Sequence, residues 1–285
     1  MRINADTICL GLIGNPIRHS LSPQLHNAVF ARLGINAVYI PMEVEASQLE
    51  KALCGLQSIG FRGINVTIPY KESVVQYMDE LSAEAQDCGA VNVIHFKQGK
   101  MIGHNTDGQG FIRSLQEEGV ILNGKALILG AGGAARSIVV ALARAGIDKI
   151  ELFDIAAQRA EDLARLASDG SAAQITGHLM NEPHFLSSAS TANLIINCSP
   201  VGMHPHISSS PITTLKAVKA GTVVVDIIYN PEETRFLKLA KQQGCKTMNG
   251  LPMFVHQAAL TEQILLGITP PTEYMKEVVR HCLKE

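Results

Sequence analysis

Residues 125–154 read KALILGAGGAARSIVVALARAGIDKIELFD. The stretch runs from a short apolar segment through a glycine turn and a helical segment to a second apolar segment that ends on a carboxylate. Residues 125–129 show no polar alternation, which predicts a strand covered on both faces. Gly130, Gly132 and Gly133 follow it. Glycine lets the backbone reverse tightly and lets a pyrophosphate approach main-chain N–H groups. The helix behind the turn directs the positive end of its dipole at that phosphate. Ala131 and Ala134 complete the turn, and Ala135 takes the third fingerprint position, where only a small side chain is needed. Asp154 stands where an acidic group binds the adenine-ribose hydroxyls. The stretch thus predicts a dinucleotide site formed by Gly130, Ala131, Gly132, Gly133, Ala134 and Asp154. The competing reading is a purely structural glycine turn. The strand before it, the helix after it and the terminal acid all favour the first reading. Gly146 is an ordinary helix cap.

Outward from this stretch, residues 108–244 alternate apolar strands with helices. Strands are expected at 125–129, 149–153, 194–196 and 223–225, and a helix at 233–243. Regular βα alternation predicts a doubly wound parallel sheet of the Rossmann type. The N-terminal part reads differently. Strands are expected at 8–13, 38–44, 63–68, 91–96 and 100–104. Pro41 places the second of these at a sheet edge or bulge. Lys97-Gln98-Gly99 predicts a hairpin. A helix is expected from Ser22 as N-cap with Pro23 in its first turn, and another over 46–58. Two helices, 253–266 and 272–283, close the chain. The fold class is therefore α/β with two domains. Residues 1–107 form a mixed-sheet α/β domain completed by 245–285, and residues 108–244 form the nucleotide domain.

Bulk properties narrow the function classes. The chain has 285 residues, of which 46% are hydrophobic and 18% charged, enough for two sizeable cores. A net charge of −2 gives no basic surplus for nucleic acid or an anionic membrane. No apolar run approaches the ~20 residues that cross a bilayer, and the N-terminus lacks a signal-peptide layout. A cytoplasmic protein, monomer or homodimer, with a small-molecule substrate is expected. The six cysteines have no CxxC pair and no zinc spacing. His204 and His206 lie in a polar loop without a third ligand nearby, so no metal is expected.

A second set of polar residues goes beyond what a folding-only account requires. HSLSP carries Ser20 and Ser22. NVTIPYK carries Asn65, Thr67 and Lys71. GAVN ends on Asn92, and HNTDGQG contains Asn105, Thr106 and Asp107. Each cluster falls at or just past the end of an apolar strand, where open α/β sheets bind ligands. Hydroxyls and amides both donate and accept hydrogen bonds, which suits a small polyhydroxylated ligand. A lysine beside an aspartate is a proton donor with an orienting partner. An ammonium aimed at a ketone oxygen stabilises the charge that grows there during hydride transfer. Taken singly, each residue also has an ordinary structural role as cap, turn former or surface ion pair.

These motifs resemble the shikimate dehydrogenases, including the quinate/shikimate branch. GNPIRHSLSP, NVTIPYK, GAVN, NTDGQG, GAGGAAR, NCSPVGM and GLPMFVHQA carry the resemblance over nearly the full length. It implies reversible oxidation of shikimate to 3-dehydroshikimate with a nicotinamide cofactor. Lys71 and Asp107 match the family's catalytic pair. Ser20 and Ser22 match the serines that hold the substrate carboxylate. Thr67, Asn92 and Gln257 match positions that bind substrate hydroxyls or carboxylate. Tyr229 matches a tyrosine that reaches the substrate from the nucleotide domain. Gly250 and Met253 match the segment near the nicotinamide. The resemblance also implies opening and closing between the two domains.

One departure bears on the cofactor. NADP-using members carry an Asn-Arg-Thr run where this chain has Asp154, Ile155 and Ala156. A carboxylate there repels a 2′-phosphate. Arg159 is expected to pair with Asp154 or Glu151, or to lie in solvent. The expectation is NAD, with NADP less favoured, which leans towards an oxidative, catabolic role. A quinate-preferring dehydrogenase is an alternative. A non-catalytic sensor of a cyclohexane acid is another, and Lys71 and Asp107 argue against it. A dehydrogenase of some unrelated hydroxy acid is opposed by the serine pair together with Thr67, Asn92 and Gln257.

Overall fold

The computed structural model describes residues 3–284. The chain divides into two compact units: Met1–Asp107 with Val255–Glu285, and Gly108–Phe254.

The first unit is built on a six-stranded mixed sheet of β1 (Ile8–Gly14), β2 (Ala37–Glu43), β3 (Gly63–Val66), β4 (Glu80–Leu81), β5 (Val93–Lys97) and β6 (Lys100–His104). The strand order is β2-β1-β3-β5-β6-β4. The β1–β2 and β1–β3 pairs are parallel, whereas β3–β5 and β5–β6 are antiparallel. Pro41 lies in β2, an edge strand, where its missing N–H leaves no inner ladder broken. The β5–β6 hairpin turns on Gln98 and Gly99, both at positive φ (53° and 77°), the geometry that matches strand twist in a two-residue loop. Helices α1 (Ser22–Leu33), α2 (Leu49–Ser58) and α3 (Ala83–Cys88) belong to this unit.

Helix α1 corrects one expectation. The N-cap position falls on Leu21 and has no side-chain cap bond, so Ser22 is the first helical residue. Its hydroxyl is engaged by Tyr39 instead. Proline in the first turn and Gly34 at φ 66°, donating back to Ala31 and Phe30, bound the helix.

Helix α4 (Asp107–Glu117) starts on the last residue of the Met1–Asp107 segment, and from Gly108 on it belongs to the second unit. Its sheet holds β7 (Lys125–Leu129), β8 (Lys149–Asp154), β9 (Gln174–Leu179), β10 (Leu194–Asn197), β11 (Val223–Asp226) and β12 (Lys246–Met248). The order is β12-β11-β10-β7-β8-β9, with every pair parallel. Counted from β7 this is the Rossmann order 3-2-1-4-5-6, and the order reverses at β7 and β10. Helices α5 (Gly133–Arg144), α6 (Ala157–Ser168), α7 (Glu182–Ala189) and α8 (Arg235–Gln242) connect the strands. One core gathers Ile128, Ile138, Leu142, Leu152, Leu163 and Ile196, and another gathers Leu127, Phe153, Phe185, Ile195 and Phe236.

Two features depart from the sequence reading. The domain boundary expected after residue 244 falls after Phe254, because β12 pairs with β11 and so extends the nucleotide sheet. Strand β9 was not anticipated, because QITGHL is neither continuously apolar nor cleanly alternating. Its Gly177 has a physical reason: a Cβ there would lie 2.3 Å from the Ala160 carbonyl carbon, so α6 needs the bare backbone. The chain ends in α9 (Leu251–Leu266), which starts two residues earlier than expected, and α10 (Thr272–Cys282). No helix among the described residues is long and apolar enough to cross a membrane.

Candidate active site

In the first unit, the NVTIPYK, GAVN and HNTDGQG clusters meet at the ends of β3, β5 and β6. Lys71 Nζ donates to Asp107 Oδ2 at 2.5 Å, and the two side chains are 15% and 5% exposed. Asp107 begins α4, where a helix N-terminus favours a carboxylate. Its other oxygen accepts from Asn92 Nδ2 at 2.9 Å, and its backbone N–H donates to Asn105 Oδ1 at 3.1 Å. Asn92 also donates to Thr106 Oγ1 and accepts from the Thr106 N–H, both at 2.8 Å. Asn105 Nδ2 donates to the Ala90 carbonyl at 2.9 Å. The lysine side is tethered as well: the Val91 N–H donates to the Lys71 carbonyl at 2.7 Å. Both carboxylate oxygens are therefore occupied and oriented, so Asp107 can hold an ammonium in one place.

A second polar layer joins Asn65, which the sequence singled out, to Tyr39, His26, Thr261 and Glu262, which sequence reasoning missed. Tyr39 donates from its hydroxyl to Asn65 Oδ1 at 2.8 Å. Asn65 Nδ2 donates to the Asn92 carbonyl at 3.1 Å and to Thr261 Oγ1 at 3.0 Å. His26 stacks on Tyr39 with ring centroids 4.3 Å apart, and its Nδ1 lies 2.8 Å from Glu262 Oε1. Burial holds the Tyr39 phenol well above its usual range, although the Ser22 hydrogen bond opposes this. The only local signal was a polar residue at an otherwise apolar strand or helix position, and periodicity alone cannot say which of those face inward.

Around this layer, Ser22 is buried, and its N–H donates to Ser20 Oγ at 3.3 Å. Thr67 is half-buried and packs over Gly14, where a Cβ would lie 2.5 Å from the Thr67 methyl. Gln257 sits on α9 one turn before Thr261, whose hydroxyl donates to the Gln257 carbonyl at 3.1 Å. Ser20, Ser22, Thr67, Lys71, Asn92, Asp107 and Gln257 therefore all belong to one unit.

The second unit carries the remaining predicted residues. Gly130 stands at φ 95° and donates from its N–H to the Phe153 carbonyl at 2.7 Å. A Cβ on it would lie 3.1 Å from the Ser199 nitrogen. Gly132 is the N-cap of α5 and makes no side-chain cap bond, so Gly133 and Ala134 open the helix with the N-terminal amide geometry an anion uses. Ala135 is fully buried, as the third fingerprint position requires. The Asp154 carboxylate accepts from the Ala131 N–H at 2.8 Å and the Ala156 N–H at 2.9 Å, which locks it beside the glycine turn. Ile155 is 89% exposed. Arg159 is exposed, and its Nη2 lies 3.5 Å from the Ala131 carbonyl as its donor. Glu151 is instead met by Lys125 and Lys149, each at 3.0 Å. Tyr229 stacks on Phe254 at 4.7 Å, Gly250 donates to the Ile228 carbonyl at 3.0 Å, and Met253 is buried in the nucleotide core. Bare glycine backbone, open helix amides and an oriented carboxylate suit a dinucleotide.

Glu151, His178 and His184 place one possible ligand atom each within 4.8 Å of one another. Lys125 and Lys149 both meet Glu151 Oε1, and His178 is half-buried and His184 exposed. The six cysteines are free.

Comparison with known proteins shows the family. Residues 12–94 match the shikimate dehydrogenase substrate binding domain, and residues 250–280 match the shikimate 5'-dehydrogenase C-terminal domain. A shikimate dehydrogenase (NADP(+)) of Syntrophomonas wolfei subsp. wolfei is 46% identical over 100% of this chain and 98% of its own length. A shikimate 5-dehydrogenase from Listeria monocytogenes, solved with shikimate and NAD, superposes with a TM-score of 0.90 at 34% identity, covering 98% of each chain. A quinate dehydrogenase from Corynebacterium glutamicum, solved with NAD, gives 0.88 at 30% identity over 96% of this chain and 99% of its own. The chain belongs to the shikimate dehydrogenase family. It is an oxidoreductase of the two-domain α/β type, and its cofactor class is the pyridine nucleotides.

Proposed function

We propose that this chain oxidises shikimate reversibly to 3-dehydroshikimate and prefers NAD to NADP. The observation that carries the chemistry is the Lys71–Asp107 pair, held at 2.5 Å in a buried amide cradle. Ser20 and Ser22 bind the substrate carboxylate, and Thr67, Asn92 and Gln257 bind its hydroxyls or carboxylate. Tyr229 is a further substrate-binding residue. In oxidation, the deprotonated Lys71 amine takes the hydroxyl proton as the carbinol C–H electron pair leaves as hydride; in reduction, the ammonium returns that proton to the carbonyl oxygen. Asp107 keeps the amine aimed, and Asn92 keeps Asp107 aimed. The bound nicotinamide supplies the two-electron acceptor. Gly130, Ala131, Gly132, Gly133 and Ala134 receive the pyrophosphate, and Gly250 and Met253 flank the nicotinamide.

The cofactor preference rests on Asp154. Its carboxylate is oriented by two backbone N–H groups, so a 2′-phosphate bound there would meet its negative charge. Ile155 and Ala156 provide neither a guanidinium nor a hydroxyl in its place. The Syntrophomonas relative is named for NADP(+) and so speaks for NADP; the support for NAD is Asp154, Ile155 and Ala156 alone. Steady-state kinetics with shikimate and quinate, each with NAD and NADP, test the reading. Higher kcat/KM with NADP would overturn the cofactor assignment, and higher kcat/KM with quinate would make that the substrate.

A further inference from the structure

Asn197, Asp226 and Thr234 are fully buried polar side chains in the nucleotide unit, and the proposed reaction uses none of them directly. Asn197 ends β10 and Asp226 ends β11, and the two are register partners. Asn197 Nδ2 donates to Asp226 Oδ1 at 3.1 Å, and Thr234 Oγ1 donates to Asp226 Oδ2 at 2.7 Å. The Ile228 N–H donates to Asp226 Oδ1 at 3.1 Å. Burial pushes the Asp226 carboxyl up to about 6, against the three hydrogen bonds that lower it. The neighbouring Cys198 thiol is pushed up too, by burial first and then by Asp226. The network has a structural share, because Thr234 Oγ1 also caps α8 by accepting from the Leu237 N–H at 3.3 Å.

What the network does is join three segments of the proposed site. Asn197 Oδ1 accepts from the Ser199 N–H at 3.0 Å and the Ser199 hydroxyl at 2.6 Å. Ser199 in turn backs the glycine turn at Gly130. The Ile228 N–H is held by Asp226 while the Ile228 carbonyl accepts from Gly250. A Cβ on Gly250 would lie 1.9 Å from the Ile227 carbonyl oxygen, so the two backbones touch. Tyr229 follows directly, stacked on Phe254.

We propose that Asp226 is a positioning residue that, through Asn197 and Thr234, fixes the Tyr229 segment and the Gly250 turn relative to the glycine turn and so aligns the nicotinamide half of the site. This rests on the roles proposed above for Tyr229 and Gly250. The test compares Asp226→Asn, Thr234→Val and Thr234→Ser by kcat, KM, NADH affinity from fluorescence, and circular dichroism. Asp226→Asn and Thr234→Val should lower kcat for shikimate oxidation at least ~10-fold, as misalignment of a bound pair does. NADH affinity should change less than ~3-fold, since the adenine half is held at Asp154 and the helix amides. Thr234→Ser keeps the hydroxyl and should restore kcat to near wild type. Wild-type kcat should fall as pH drops through Asp226 protonation, and Asp226→Asn should lose that limb. Folded Asp226→Asn and Thr234→Val proteins with wild-type kcat and pH profile would overturn the proposal. So would Thr234→Ser as impaired as Thr234→Val, a comparison that stands even where Asp226→Asn does not fold. An inactive wild type that still binds NADH would instead sink the functional reading beneath it.

Discussion

Asp154→Asn removes one charge from the adenine-ribose end of the cofactor site and leaves the side-chain shape unchanged. Per unit of phosphate charge, a carboxylate about 5 Å away is repelled by about 3 kcal/mol at an effective dielectric near 20, and by about 0.8 kcal/mol in water. Asp154 is half-buried, which puts it between these limits. A value of about 2 kcal/mol corresponds to roughly 30-fold in kcat/KM for NADP. On the NAD side, a charge-assisted bond to the ribose becomes a neutral one, a loss of about 1 kcal/mol and roughly fivefold. The NAD:NADP ratio should therefore move towards NADP by on the order of 100-fold. The Ala131 and Ala156 N–H groups both bond this carboxylate. An amide has one acceptor oxygen, so a stability loss of about 1 kcal/mol should accompany the change. The assay is shikimate oxidation with each cofactor at low and high salt. Wild-type discrimination should narrow as salt screens the repulsion, and that of the variant should change less. A ratio that moves less than ~3-fold in a folded variant would refute the electrostatic argument, and discrimination would then lie in the shape of the ribose pocket.

Other outcomes follow from the same geometry. Lys71→Ala should lower kcat by ~10² or more, because it removes the proton carrier, and should lower stability by up to about 3 kcal/mol in a still-folded protein, because the buried Asp107 charge loses its partner; near-normal turnover would reject that role. Gly250→Ala drives a methyl into the Ile227 carbonyl oxygen at 1.9 Å. The strain should lower stability by about 1–3 kcal/mol in denaturant unfolding and lower kcat with it. For Glu151, burial raises the carboxyl, but hydrogen bonds from the Ser188, Lys149 and Lys125 side outweigh it and bring the value from 4.5 down to about 2. A depressed carboxylate stabilises the fold fully above the unfolded value and loses that contribution as pH falls through the folded one. Stability should therefore decline between about pH 4.5 and 2, and Glu151→Gln should flatten that decline in pH-dependent urea unfolding.

The nucleotide sheet was legible because a parallel strand buried on both faces writes itself as an apolar run: Lys125–Leu129 is a strand as read. Pro41 at an edge and the Gln98-Gly99 hairpin were equally local, each following from what one residue's φ or missing N–H permits. β9 escaped because its stability comes from pairing with β8 and from α6 packing on Gly177, neither of which leaves a periodic trace. The second domain boundary was misplaced for a similar reason: three residues, Lys246–Met248, become a strand only beside β11.

The amino-acid order by itself determined the class of fold, the glycine turn with its terminal acid, and the chemical types gathered in NVTIPYK, GAVN and NTDGQG. Those are properties of single residues and short spacings. Only the tertiary structure decided which polar groups meet. Lys71 and Asp107 are 36 positions apart, Asn65 and Thr261 are 196 apart, and each bond exists because separate strands and helices end side by side. The buried layers under the site, Tyr39 with Asn65 and Asn197 with Asp226, became visible only then. A hydrogen bond depends on distance and direction in space, and sequence separation carries neither.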